Sequence, residues 1–118
     1  MPTSNLHEMH LHSGPFAKIK SGEKNIEVRM RDEKRKKIKI GDDILFISRE
    51  NGETALRRVV GLCWFEDFAQ LAKTLGAVKC GWDKEYAADK YNSDMEQYYS
   101  KDDIKKHGAL GIILNNMR

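Results

Sequence analysis

The segment SGEKNIEVRMRDEKRKK, residues 21–37, decides how the rest of the chain is read. It opens with a turn at Ser21-Gly22, continues as NIEVRM, and ends in a dense run of cations. In NIEVRM, Ile26, Val28 and Met30 alternate with Glu27, Arg29 and Arg31, which is the period of a strand, and two β-branched residues favour that state. An extended backbone projects Glu27 and Arg29 from one face about 7 Å apart, with Lys24 in the turn just before. Two explanations of these charges compete. On a wet surface they form a salt-bridge ladder contributing under about 1 kcal/mol per pair. In a cleft, a carboxylate held between two cations stays ionised and can bind a base edge, orient a ribose hydroxyl, or work as acid and base. With 33% of residues charged, composition alone favours the wet surface.

Working outward, LHEMHLH (6–12) alternates as a half-buried strand, Met9 and Leu11 against Glu8, His10 and His12. SGPFAKIKSG (13–22) predicts a helix of about two turns, with Pro15 near its start, Phe16 and Ile19 on one face, and Gly22 as a left-handed cap. Residues 32–37 read as a loop or a single helical turn. After the Gly41-Asp42 turn, Ile44, Phe46 and Ser48 alternate with Leu45 and Ile47. Asn51-Gly52 is the strongest hairpin signal in the chain and leads into ETALRRVVGLCWF (53–65). There Ala55, Arg57 and Val59 oppose Leu56, Arg58 and Val60.

The period then changes to that of a helix, with Phe65, Phe68, Leu71, Ala72 and Leu75 on one face and Gly76 at the end. Residues 82–108 read as two short helices, the second capped by Ser100 with Asp103 and closed by Gly108. ALGIILNN (109–116) is more continuously apolar and predicts a central strand. The expected fold class is α+β, a small curled sheet or barrel of about five strands with three to four short helices. A length of 118 residues predicts one domain spanning 1–118.

The net charge of +3 and pI near 8.8 are mildly basic, but the charge is unevenly placed. Arg29, Arg31, Lys34, Arg35, Lys36, Lys37 and Lys39 face only Asp32 and Glu33 within their stretch, whereas 83–103 leans acidic. Cys63 and Cys80 lack metal-ligand spacing and read as buried free thiols. No signal core or membrane-length apolar run is present, so a cytoplasmic protein with no membrane partner is expected. Glu8, His10 and His12 are a chemically suitable metal set, but side chains two apart on one strand rarely converge on one ion, and a solvent-facing strand edge is the better explanation. No metal or other cofactor is expected. In YNSDMEQYY, Tyr91, Met95, Tyr98 and Tyr99 have near-helical spacing and read mainly as core. Tyr98 and Tyr99 are adjacent, so one must point outward, where it could stack on a base.

GEKNIEVR resembles the G-x-K-x-x-E-x-R signature of ASCH domains through Gly22, Lys24, Glu27 and Arg29. The strand, Pro-Phe helix, signature strand, D-E-K-R segment and G-D turn of residues 9–46 are similar to the bacterial members of that family, as is the ending YYSKDDIKKHGALGIIL. The resemblance covers nearly the whole chain. It implies a PUA-like small mixed β-barrel, with a cleft between barrel and helix where the signature residues gather, and RNA or a modified nucleoside as ligand. It also implies an alternative, because some relatives are enzymes. One removes the acetyl group from acetylcytidine, using a Lys equivalent to Lys24 and a Thr where this chain has Glu27; another is a metal-dependent ribonuclease activity. Without a hydroxyl at position 27 the covalent acyl route has no matching nucleophile. Two functions are therefore carried forward. The first is binding of RNA, a nucleotide or a nucleoside by Gly22, Lys24, Glu27 and Arg29, with Arg31, Lys34, Arg35, Lys36 and Lys37 guiding phosphates. The second is hydrolysis of an acylated nucleoside or of RNA, with Lys24 and Glu27 as the acid–base pair.

Overall fold

A computed structural model describes residues 5–115. The chain forms β1 (Leu6–Leu11), α1 (Ser13–Ser21), β2 (Ile26–Met30), β3 (Asp43–Ser48), β4 (Thr54–Phe65), α2 (Phe68–Leu75), α3 (Tyr91–Met95), α4 (Lys101–His107) and β5 (Ala109–Leu114). Single turns of 3-10 helix lie at Arg35–Lys37 and Ala88–Lys90. The strands make one mixed sheet in the order β1-β3-β4-β5-β2, parallel between β1 and β3 and antiparallel elsewhere. The sheet curls into a half-barrel. An irregularity between Val59 and Gly61 bends β4, so its first half pairs with β3 and its second with β5. As its apolar composition predicts, β5 lies inside the sheet, while β1 and β2 are its two edges.

Two apolar cores flank this sheet. One core packs Phe16 and Ile19 of α1 against Ile44, Phe46, Val59 and Ile112. On the other side of β2 and β5, Ile26, Val28 and Met30 pack with Phe68, Leu71, Tyr91 and Ile104 from the helices. Helix starts follow local chemistry: Asp67 Oδ1 accepts from Gln70 N–H at the start of α2, and Ser100 Oγ accepts from Asp103 N–H at the start of α4. Phe65, expected on the α2 face, instead ends β4. Residues 82–108 hold the two short helices expected there, α3 and α4, with a separate 3-10 turn ahead of α3. Among the described residues no helix is long and apolar enough to cross a membrane.

Candidate functional site

The site begins at the end of α1. Gly22 takes φ +88° and donates to the Ile19 carbonyl, a left-handed cap that glycine adopts without a Cβ penalty. The buried Arg57 reaches across from β4 to the Ile19 and Lys20 carbonyls, where a cation complements the helix C-terminus. Lys24 N–H then donates to the Lys18 carbonyl, which fixes the turn into β2. Behind it, the Asn25 and Ile26 amides donate to the Lys79 carbonyl and bring the 79–82 loop against β2.

This arrangement buries the charges. Glu27 is only 2% exposed, although its strand neighbours Ile26 and Val28 are also buried, because β2 is covered on both faces. Its Oε1 accepts from Lys24 Nζ at 2.8 Å, and its Oε2 accepts from Arg29 Nε at 2.8 Å. Burial alone pushes the carboxyl up. The adjacent Lys24 and Arg29 charges and their hydrogen bonds together outweigh it, and the Glu27 pKa lies below its ordinary value. For Arg29, burial lowers the pKa but the Glu27 carboxylate raises it further, so the guanidinium is held firmly charged. The cluster carries one net positive charge, and the Lys24 ammonium and the Arg29 Nη groups retain protons for a ligand. The wet-surface ladder is ruled out by burial.

The three side chains line a cavity of about 280 Å³, at the small end of ligand pockets. Trp82, Tyr91, Tyr98 and Tyr99 supply aromatic walls, and Arg49, His10 and His12 stand on the side of β1. The 79–82 loop fits Lys24 closely. A Cβ at Gly81, where φ is +98°, would come within 2.7 Å of Lys24 Cδ. The Gly81 carbonyl in turn accepts from Lys18 Nζ at 2.9 Å. Trp82 stacks on Tyr86 with centroids 4.5 Å apart and meets Tyr91 edge-on. Burial pushes the Cys80 thiol up to about 11, so it is an inert wall group rather than a nucleophile.

The remaining expected residues divide. Tyr98 is 63% exposed at the mouth, whereas Tyr99 is half-buried and stacks on Phe68, so the adjacent pair splits as their spacing requires. Lys34 and Arg35 line a second cavity of about 420 Å³ that shares Arg29, Arg49 and His10 with the first. Arg35 is paired at 2.8 Å with Asp32, and Lys36 at 3.2 Å with Glu33. Lys37 is exposed on the 3-10 turn. Arg31 is not gathered with Arg29: its guanidinium lies 4.5 Å over the Trp64 ring. His7 contacts Asp42 at 2.9 Å, and His12 contacts Glu50 at 3.2 Å. Among the described residues no group of three or more His, Cys, Asp or Glu could hold a metal ion. Both cysteines are free, Cys80 buried as expected and Cys63 only half-buried.

The order of elements and the buried signature invite comparison with known families, and a family model for the ASCH domain matches residues 9–116. The chain belongs to the ASCH domain family. This ASCH domain is similar to the crystal structure of the hypothetical protein PH0355, with a TM-score of 0.79 and 29% identity over 93% of this chain and 97% of that one. It is also similar to the solution structure of protein PF0455 from Pyrococcus furiosus, with a TM-score of 0.72 and 27% identity over 93% and 96% of the two chains. The crystal structure of an ASCH protein from Zymomonas mobilis shares the fold, with a TM-score of 0.62 at 15% identity, covering 94% of this chain and 67% of that one. Among curated proteins there is no match.

Within the ASCH domain, the signature residues Lys24, Glu27 and Arg29 were legible from sequence, but the opposing wall was not. Arg49, Gly81 and Trp82 lie 25 to 58 positions from Lys24 in the chain and carry no local motif. One signal was available for Gly81: a glycine between Cys80 and Trp82, in an otherwise bulky stretch, marks a close approach of backbone.

Proposed function

We propose that this ASCH domain binds RNA or a nucleotide, with Lys24 and Arg29 receiving a phosphate or a carbonyl edge of the base and the aromatic wall receiving the ring. The observation that carries this reading is the buried Lys24–Glu27–Arg29 cluster on the floor of an aromatic-walled cavity. A carboxylate with both oxygens engaged positions the two cations, and the cations keep a net positive charge facing the ligand. Nearby aromatic faces accept any base, because stacking is tolerant of sequence. Lys34, Arg35 and Arg49 border the adjoining cavity, a suitable path for a phosphate backbone. Two free cysteines suit a reducing compartment, and we place the protein in the cytoplasm.

The hydrolase alternative asks Glu27 to take a proton from water. A carboxylate with a lowered pKa and both oxygens bound to cations is a poor base near neutral pH, so binding ranks first. Titration of a fluorescent single-stranded RNA at several salt concentrations tests the reading. Affinity is expected to fall steeply with salt, and Arg29→Ala is expected to weaken binding about tenfold or more through loss of charge-assisted contacts. Binding indifferent to both salt and Arg29 would sink it. Turnover of acylated cytidine, lost in Lys24→Ala, would reverse the ranking in favour of the hydrolase.

A further inference from the structure

Beyond the cavity, the largest exposed aromatic surface near the basic segment is Trp64, 62% exposed near the end of β4. A solvent-facing indole is unremarkable by itself. Its setting is not. The register pairs Arg29 with Leu110 on one side and Trp64 with the same Leu110 on the other. Paired residues project from the same face, so Trp64 lies two strand spacings, about 10 Å, from Arg29 on a common face of the sheet. The indole is also held in place. Arg31 covers one ring face at 4.5 Å, and the indole edge packs against Gly108, where a Cβ would come within 2.7 Å of Nε1.

The surroundings complete a track. The cavity holding Lys24 and Arg29 shares Arg29 with the groove lined by Lys34 and Arg35. That groove shares Arg35 and Ile38 with a further cavity lined by Arg31, Lys36 and Trp64. On the far side of Trp64, Lys105 and Lys106 add charge, while Glu66, Asp67 and Glu96 line the same hollow and bound the positive region. Arg31, Lys105 and Lys106 form no ion pair among the described residues.

We propose that Trp64, backed by Arg31, is a second base-stacking platform, and that the ligand is a single-stranded RNA whose flanking nucleotides run from the Lys24–Arg29 cavity past Lys34 and Arg35 to this indole. This inference rests on the reading of the cavity as a nucleotide site and adds that its ligand is an oligonucleotide. Phosphates pass the cations of the basic segment, and one flanking base stacks on Trp64.

The two tryptophans of the chain report the two places separately, Trp82 in the cavity and Trp64 on the platform. Their indole N–H signals in a ¹⁵N-labelled protein, assigned with Trp64→Phe, can be followed during titration. One titration uses a mixture of the four nucleoside 5′-monophosphates, and the other a mixed-sequence single-stranded RNA octamer. The mononucleotides are expected to shift Trp82 alone, and the octamer to shift both. Trp64→Ala is expected to weaken octamer binding about tenfold, the usual loss of one stacked base. A response of Trp82 to both ligands with Trp64 silent overturns the platform while leaving the cavity reading intact. Silence of both signals overturns both. A response of Trp64 alone overturns the continuous track.

Discussion

Two clusters of opposite charges lie within fifteen residues of one another and behave differently. In Lys24–Glu27–Arg29, the carboxylate is buried beneath the 79–82 loop and both oxygens are held at 2.8 Å. In the basic segment that follows, Asp32 pairs with a half-buried Arg35, and Glu33 pairs with Lys36 one turn away at the surface. The residue types and contact distances are similar, yet the environments are not. A buried carboxylate cannot be resolvated by water when its partners are removed, and unpaired cations left behind are costly. The exposed Glu33–Lys36 pair loses little, because solvent takes over its contacts.

The contrast can be broken most severely at Glu27. Glu27→Ala leaves Lys24 and Arg29 facing each other without a counter-charge and is expected to cost about 3–5 kcal/mol of stability, read as a lowered urea midpoint. The same group carries an acid dependence. Its folded pKa lies below the ordinary value of 4.5, so the stability it contributes is complete above about pH 4.5 and declines as pH falls toward the folded value. Comparing Glu27→Gln with wild type should therefore show a stability gap that is flat from pH 7 to 5 and narrows below. A gap that widens on acidification would contradict the burial of an ionised carboxylate.

A smaller effect is expected from the loop that makes the burial. Gly81→Ala places a methyl group against Lys24 and imposes a left-handed φ of +98° on a residue with a Cβ. Gly41 has the same φ of +98° with open space around it, so Gly41→Ala isolates the backbone strain, about 1–2 kcal/mol. Thermal unfolding of both variants should rank Gly81→Ala as the more damaging, with loss of ligand affinity as well; equal losses would mean that the loop yields without disturbing Lys24. The smallest change is Glu33→Ala in the surface cluster. Its side chain is 83% exposed, and the expected shift is under about 1 kcal/mol.

Much of the architecture was legible in the chain. Alternation at Ile26, Val28 and Met30 placed β2, Gly22 placed the end of α1, and the continuous apolar run of ALGIIL placed β5 inside the sheet. Local rules suffice there because strand period and cap geometry act over a few residues. The fate of the histidines was less legible. His7 and His12 are taken up by Asp42 and Glu50, partners more than thirty residues away, which the spacing of LHEMHLH could not disclose. Phe65 fitted the helical period of the following segment, but pairing with Ala109 kept it in β4.

What the sequence by itself determined, then, is the family, the sheet-forming segments, and the placing of Lys24, Glu27 and Arg29 close together at the start of one strand. Strand alternation and cap geometry are properties of the local backbone and can be read without a partner. Whether those charges are solvated or sequestered was decided only by tertiary structure. The Lys79 carbonyl draws its loop onto β2, Gly81 lets that loop close on Lys24, and Arg57 anchors the helix that feeds the turn. Desolvation depends on what covers a group, and here the cover comes from distant parts of the chain.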